Sequence, residues 1–198
     1  MSSIEKIKRY IAVAATASHN RMSVFAPVDS RVHPTHGLQV FPVEDEFTLG
    51  VLQSDVHLQW MRARSTSLKA DPRFTTTLVT HTFPWPQSGN EALLAAVEEA
   101  AAEILDLRAQ RFDAGVPLGD QYDGLRLPGK NPLRDLHHRL DEAVRALYGL
   151  EADEPDIVRT LLALNHELAS DEEAGRSVIG PATRPARSAL TEHAFPFA

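Results

Sequence analysis

The sequence contains no cysteine among its 198 residues, which excludes disulfide bonds, cysteine-ligated zinc and thiol nucleophiles. No apolar run approaches the roughly 20 residues that are needed to cross a bilayer, and the first residues lack the apolar core of a secretion signal. Aromatic residues make up only 7% of the chain, whereas 43% hydrophobic and 24% charged residues are typical globular values. The composition therefore predicts a globular protein of one or two small domains in the cytoplasm.

The motifs of a catalytic domain are also missing. No glycine-rich turn follows a first strand, and Asn131-Pro132 lacks the second proline and the ring with which an adenine methyltransferase holds a flipped base. That pair instead suits a helix start, with Asn as N-cap and Pro as first helical residue. Pro155-Asp156 lacks the downstream carboxylate and lysine of a metal-dependent nuclease, and no carboxylate accompanies His33 and His36. We therefore predict no catalytic residue and no metal site.

The charge is unevenly distributed along the chain. The net charge is −7, but residues 1–89 carry about +2 and residues 90–198 about −9. A DNA-binding surface needs clustered lysine and arginine. The first half could therefore face a phosphate backbone, and the second half is expected to face solvent or a protein partner.

The first half has the pattern of a small sheet with one helix. Short apolar runs at 9–16, 23–28 and 38–43 predict strands, and a further strand is predicted at 75–80. Apolar residues from Phe47 to Met61 recur at helical spacing and predict one helix that ends near Arg62 to Ser65. Two prolines flank Trp85, which forces an extended segment and predicts a domain boundary at residue 87.

The second half is predicted to be helical. One helix carries the stripe Leu94, Val97, Ala101 and Ile104, with Ser88 or Asn90 as cap, a second begins at Asn131, and a third begins near Pro155. Glycines and prolines predict a loop over residues 115–130. The domains are therefore predicted at 1–87 and 88–175, followed by a loosely ordered tail at 176–198.

Basic residues cluster after the predicted helix of the first half. Arg62, Arg64, Lys69 and Arg73 lie within twelve residues, with the hydroxyl groups of Ser65, Thr66 and Ser67 between them. Arginine forks and hydroxyl groups suit phosphate oxygens. The alternative is an ordinary surface helix end, where the helix dipole favours cations.

Ordered similarity to a known family extends over about residues 9–175. The matching segments, in order, are Arg9-Tyr-Ile-Ala12, Leu38-Gln-Val-Phe41, Gly50 to Ser54, Trp60 to Arg64, Ser67 to Phe74, Thr82 to Gln87, Leu140 to Val144, Tyr148-Gly149 and Leu161 to Glu167. They resemble the end of the target recognition domain, and the C-terminal helical domain, of single-chain type II restriction–modification enzymes and adenine-specific DNA methyltransferases.

The resemblance implies an α+β fold, with a small mixed β-rich recognition subdomain followed by a three-helix C-terminal domain. It implies a DNA-specificity portion without catalytic residues, whose DNA contacts are Arg21, Arg62, Arg64, Ser65, Lys69 and Arg73. Arg21 is the candidate base reader, because loop tips of such a domain reach the groove. S-adenosylmethionine is expected only in a separate catalytic domain.

The partners implied are double-stranded DNA and a methyltransferase polypeptide, or a second copy of the chain. Two alternatives remain. One is a helical protein–protein interaction module, or a remnant of a split methyltransferase gene, that does not bind DNA by itself. The other is a small metal hydrolase, which the missing motifs disfavour.

Overall fold

The first half of the chain forms a three-stranded antiparallel sheet. In it, β1 (Arg9–Ala14) lies between β2 (Ala26–Asp29) and β3 (Leu38–Phe41). Ile11 in β1 faces Pro27 on one side and Phe41 on the other. Proline has no N–H to donate to a strand ladder, which explains why Pro27 lies in an outer strand of the sheet. This computed structural model describes residues 6–16, 22–68, 71–73, 79–151 and 154–185.

Strand β2 begins three residues later than the sequence predicts. The N–H of Phe25 donates to Gln53 Oε1 at 2.8 Å, and its carbonyl accepts from Arg108 Nη1 at 2.9 Å. Gln53 Nε2 also donates to the carbonyl of Ser23 at 3.2 Å. Residues 23–25 have the composition of a strand, but side chains from two helices satisfy these backbone groups.

Two helices replace the single helix that the sequence predicts after the sheet. Helix α1 (Glu46–Gln53) ends at Ser54, and α2 (Asp55–Arg64) begins immediately afterwards. Ser54 has an extended backbone, and its N–H still donates to the Gly50 carbonyl. Its hydroxyl accepts from His57 N–H, so that one serine ends the first helix and caps the second.

A short hairpin follows α2. Strands β4 (Thr66–Leu68) and β5 (Asp71–Arg73) pair antiparallel. The predicted strand at 75–80 lies mostly outside the described residues. Of its last two residues, Val79 is helical and Thr80 is in a turn.

The second half is helical, which confirms the predicted α+β class. Helices α3 (Glu91–Asp113), α5 (Pro132–Leu147) and α6 (Ile157–Glu173) are long, and the predicted caps Asn90 and Asn131 begin the first two. Asp156 caps the third by accepting from Arg159 N–H at 3.0 Å. None of the described helices is long and apolar enough to span a membrane.

The predicted loop at 115–130 contains a further helix, α4 (Leu118–Asp123), which continues into a 3₁₀ turn (Gly124–Arg126). Gln121 and Tyr122 in α4 are buried. Gln121 Nε2 donates to the carbonyls of Arg108, at 3.2 Å, and Val116, at 3.0 Å. These contacts stabilise a helix in a segment whose glycines and prolines indicated a loop.

One continuous apolar core joins the two halves. Helix α1 packs against α3, α3 packs along α5, and α2 contacts α6. A close approach lies at Gly50, where an added Cβ would be 2.8 Å from Val97 Cγ1 and 3.3 Å from Leu140 Cδ1. Helix α1 can therefore reach the helical half at this depth only because residue 50 has no side chain.

Residues 176–185, where the sequence predicts the start of a loosely ordered tail, make specific contacts with the helical half. Arg184 forms ion pairs with Glu98, at 2.6 Å, and Glu91, at 2.7 Å, in α3. Ile179 exchanges two hydrogen bonds with the side chain of Gln87. This segment is therefore tied to the start of α3 and to the end of the first half.

Candidate nucleic-acid interface

The last turn of α2 presents two exposed arginines. Arg62 and Arg64 are exposed, and neither forms an ion pair with another described residue. By contrast, several other arginines form ion pairs with carboxylates, namely Arg9, Arg31, Arg139, Arg145, Arg176 and Arg184. Within the described part of the chain, no carboxylate therefore neutralises the charges of Arg62 and Arg64.

The fully buried Trp60 fixes the position of this turn. Its indole N–H donates to the carbonyl of Val79 at 3.2 Å. The guanidinium carbon of Arg64 lies 5.3 Å from the centre of the Trp60 ring, a cation–π contact that contributes about 0.5–1 kcal/mol at an exposed site. This contact holds the Arg64 guanidinium beside the Trp60 ring.

Two more of the predicted residues, Ser65 and Arg73, lie at the same end of α2. Ser65 ends the helix, with its N–H donating to the Met61 carbonyl at 2.8 Å. In the hairpin, Arg73 pairs with Thr66, which places its backbone beside the residue that follows Ser65. The structure thus brings Arg62, Arg64, Ser65 and the backbone of Arg73 together, while Arg21 and Lys69 lie outside the described residues.

A shallow groove runs beside α2, and Arg62 forms part of its wall. We call this the α2 groove; it is lined by Met22, Asp55, Leu58, Gln59, Arg62, Ala63 and Val158. Met22 lies just before the segment that Gln53 and Arg108 hold, and Val158 belongs to the first turn of α6. Residues of both halves of the chain therefore form the groove.

Helix α5 anchors the start of α2 below this groove. Asp141 Oδ1 accepts from the N–H of Asp55 at 2.8 Å, and Arg145 Nη2 donates to the Asp55 carboxylate at 2.5 Å. Burial raises the pKa of Asp141 to about 7, and the nearby Asp55 carboxylate adds to the increase. Around neutral pH, Asp141 is therefore partly protonated while Asp55 is paired with Arg145.

A second polar cluster lies deeper, around Arg108. Its guanidinium donates to Phe25 O, to Gln53 Oε1 and to the Tyr122 hydroxyl. That hydroxyl lies 2.8 Å from His137 Nε2. Burial and the neighbouring Arg108 charge lower the pKa of His137 to about 3, so this imidazole is neutral at pH 7.

The aromatic residues near Trp85 belong to the core and do not form a base-stacking surface. Trp85 is 1% exposed and Phe83 is 3% exposed, and their rings meet edge to face at 5.5 Å. The Tyr148 hydroxyl donates to the Pro84 carbonyl at 2.8 Å. Trp85, Phe83 and Tyr148 therefore pack in the core.

No metal centre is formed by the described residues, which contain no group of three or more histidine, aspartate or glutamate side chains close enough to hold an ion. His33 and His36 are both exposed. His137 is buried and His138 is exposed, as their different helix faces predict.

Sequence reasoning missed the buried residues Gln53, Arg108, Tyr122 and Asp141. For Arg108 a signal exists, since Val97, Ala101, Ile104 and Arg108 follow one another at helical spacing. A charged residue that continues an apolar stripe is either a stripe end or a buried polar contact. The contact partners of Arg108 could not be read from this spacing.

Known proteins share both halves of this chain. The family model of the MmeI target recognition domain matches residues 1–87, and that of the MmeI C-terminal domain matches residues 89–172. DNA methyltransferase A of Bacillus subtilis (strain 168) is 34% identical over 124 residues, which are 62% of this chain and 13% of that protein.

A solved structure has the same fold. It is that of the type IIL restriction–modification enzyme MmeI in complex with DNA, and it matches 82% of this chain with a TM-score of 0.72 and 30% identity. The chain covers 22% of that solved chain, and hence only a small part of the relatives that it matches. With both of its halves matched by consecutive domains of one enzyme, the chain belongs to the MmeI family of restriction–modification proteins, of which it comprises the target recognition and C-terminal domains.

Proposed function

We propose that this chain binds double-stranded DNA as the specificity portion of a restriction–modification methyltransferase, with Arg62 and Arg64 as phosphate contacts. The observation that carries the proposal is that these two exposed arginines at the end of α2 form no ion pair with another described residue, in a domain of the target recognition family. The related MmeI structure is a complex with DNA. Lys69 and Arg73 follow in the sequence and extend the same basic segment, Ser65 is a further proposed contact, and Arg21 is the proposed base reader.

Phosphate contacts have a quantitative signature in salt dependence. Each neutralised phosphate contributes about −0.9 to the slope of log K against log salt on duplex DNA. We expect Arg62→Ala/Arg64→Ala to weaken binding to a labelled random-sequence duplex and to reduce the steepness of this slope by about 2. Adding Lys69→Ala and Arg73→Ala should reduce it further.

A matched control is available in the second half of the chain. Arg126 and Lys130 are exposed around the start of α5, so Arg126→Ala/Lys130→Ala removes the same charge without touching α2. The control should keep the original slope. Equal loss in both double variants would mean that only net charge matters, and absence of salt-sensitive binding by the unaltered chain would contradict DNA binding altogether.

The proposed protein partner is a methyltransferase domain, which would supply the S-adenosylmethionine site and the chemistry. The printed sequence has no methyltransferase motif, and the Bacillus subtilis relative is named a DNA methyltransferase. Self-association is the second arrangement that we propose, and a cleanly monomeric chain at high concentration in light scattering would argue against it. The proposed function implies a cytoplasmic location.

The alternative of a protein-interaction module is favoured by the −9 charge of residues 90–198. It is compatible with DNA binding through the first half. The salt experiment distinguishes the two functions, because DNA binding requires Arg62 and Arg64 and protein interaction does not.

A further inference from the structure

Arg108 is a buried cation that belongs to the helical half but binds the recognition half. It lies in α3 with 6% of its surface exposed, and burial lowers its pKa to about 9. Among the described residues it forms no ion pair. A buried guanidinium without a carboxylate is costly. Its hydrogen bonds to Phe25, Gln53 and Tyr122, together with a cation–π contact to the Tyr122 ring at 5.0 Å, compensate this cost.

Two of these bonds hold one short stretch of backbone. Arg108 Nη1 reaches the Phe25 carbonyl at 2.9 Å, and Arg108 Nη2 lies 3.2 Å from Gln53 Oε1. Gln53 in turn accepts from Phe25 N–H at 2.8 Å and donates to the Ser23 carbonyl at 3.2 Å. The segment Ser23–Phe25 precedes β2, so these side-chain bonds determine its path where strand pairing does not.

The residue that precedes this segment, Met22, and several residues of α2 line the α2 groove. Met22 is attached directly to the held segment and lines the groove together with Arg62. Gln53 is the last residue of α1, and only Ser54 separates it from α2, which carries Arg62. A displacement of the Arg108–Gln53 pair would therefore move Met22 relative to Arg62.

We propose that Arg108 and Gln53 are positioning residues for DNA recognition, which set the relative placement of Met22 and Arg62 in the α2 groove. The inference rests on the proposed DNA binding. It assigns to the C-terminal domain a direct part in shaping the recognition surface. Neither residue touches DNA, since both are buried.

Three variants separate positioning from general stability. Arg108→Met and Gln53→Leu remove the bonds to Ser23–Phe25 and keep apolar bulk. Tyr122→Phe is the matched control, because it removes a buried hydrogen bond to the same guanidinium, and the one to His137, but no bond to Ser23–Phe25. All three should be compared well below their melting temperatures, with folding checked by circular dichroism.

Affinity for the labelled duplex and exchange of the Phe25 amide are the two readouts. We expect Arg108→Met and Gln53→Leu to bind duplex DNA about tenfold more weakly, with the salt slope unchanged because no phosphate contact is lost. The Phe25 amide should exchange faster in both. Tyr122→Phe should lower the melting temperature while keeping the affinity.

Each contrary result points to a different failure. Original affinity in folded Arg108→Met, or an equal loss in Tyr122→Phe, would overturn the positioning role and leave DNA binding intact. Unchanged exchange of the Phe25 amide in Arg108→Met would show that Arg108 does not hold the segment. If the unaltered chain shows no salt-sensitive binding, the proposed function fails, and the positioning role fails with it.

Discussion

Asp141 is a carboxylate that the fold holds largely away from water, and its protonation links pH to stability. Its pKa is about 7 in the folded chain, against 3.8 for an unperturbed aspartate. The folded state therefore binds the proton more tightly than the unfolded state does. The contribution of this residue to stability is greatest below pH 3.8, and it decreases as the pH rises from about 4 to 7.

Asp141→Asn should remove this loss, because an asparagine oxygen can still accept from Asp55 N–H and carries no charge. We expect the variant to be more stable than the original chain, with a gain that is about 2 kcal/mol larger at pH 8 than at pH 5. Urea unfolding at the two pH values measures this difference. The exposed Glu172 provides the control, since Glu172→Gln should show little change at either pH. A gain that does not depend on pH would rule out the titration of Asp141 as its cause.

Two buried histidines act in the opposite direction. Burial lowers the pKa of His57 to about 4, and burial together with the Arg108 charge lowers that of His137 to about 3. Their contribution is present above pH 6.5 and is lost as the pH falls below that value. The comparison of Asp141→Asn with the original chain cancels both histidines, which is why it isolates the carboxylate.

Among the elements, helix existence could be predicted from the sequence better than helix ends. Apolar spacing from Phe47 to Met61 predicted helical structure correctly. It could not predict the break at Ser54, because the spacing of the apolar residues continues across it. The break depends on Ser54 serving as C-cap and N-cap at once, which a periodic pattern does not contain.

The candidate site, like the helices, could be predicted from the sequence only in part. The sequence alone predicted that Arg62 and Arg64 end a helix, and the structure places both there, exposed. The Arg108–Phe25 contact joins residues that are 83 positions apart. No local pattern encodes such a contact, so the late start of β2 and the helix α4 could be found only from the folded chain.

In the whole molecule, the net charge separates the two halves, whereas the packing joins them. The charge changes from about +2 to about −9 near residue 90, which separates a DNA-compatible half from a half that would repel phosphate. The apolar core, by contrast, continues without interruption from one half into the other. Gly50 packs on Val97 and Leu140, and the Asn165 side chain donates to the Thr82 carbonyl at 2.7 Å. The recognition surface therefore has a helical support of opposite charge.

Because one core joins the halves, we expect the full chain to unfold in a single cooperative step. Its spectroscopic probes are naturally separated: both tryptophans, Trp60 and Trp85, lie in the first half, whereas α3, α5 and α6 dominate the far-ultraviolet circular dichroism. Urea curves followed by tryptophan fluorescence and by circular dichroism should therefore coincide in midpoint and slope. A tryptophan transition at clearly lower urea would mean that the recognition half opens while the helices persist, and Arg108 could not then couple them as one unit.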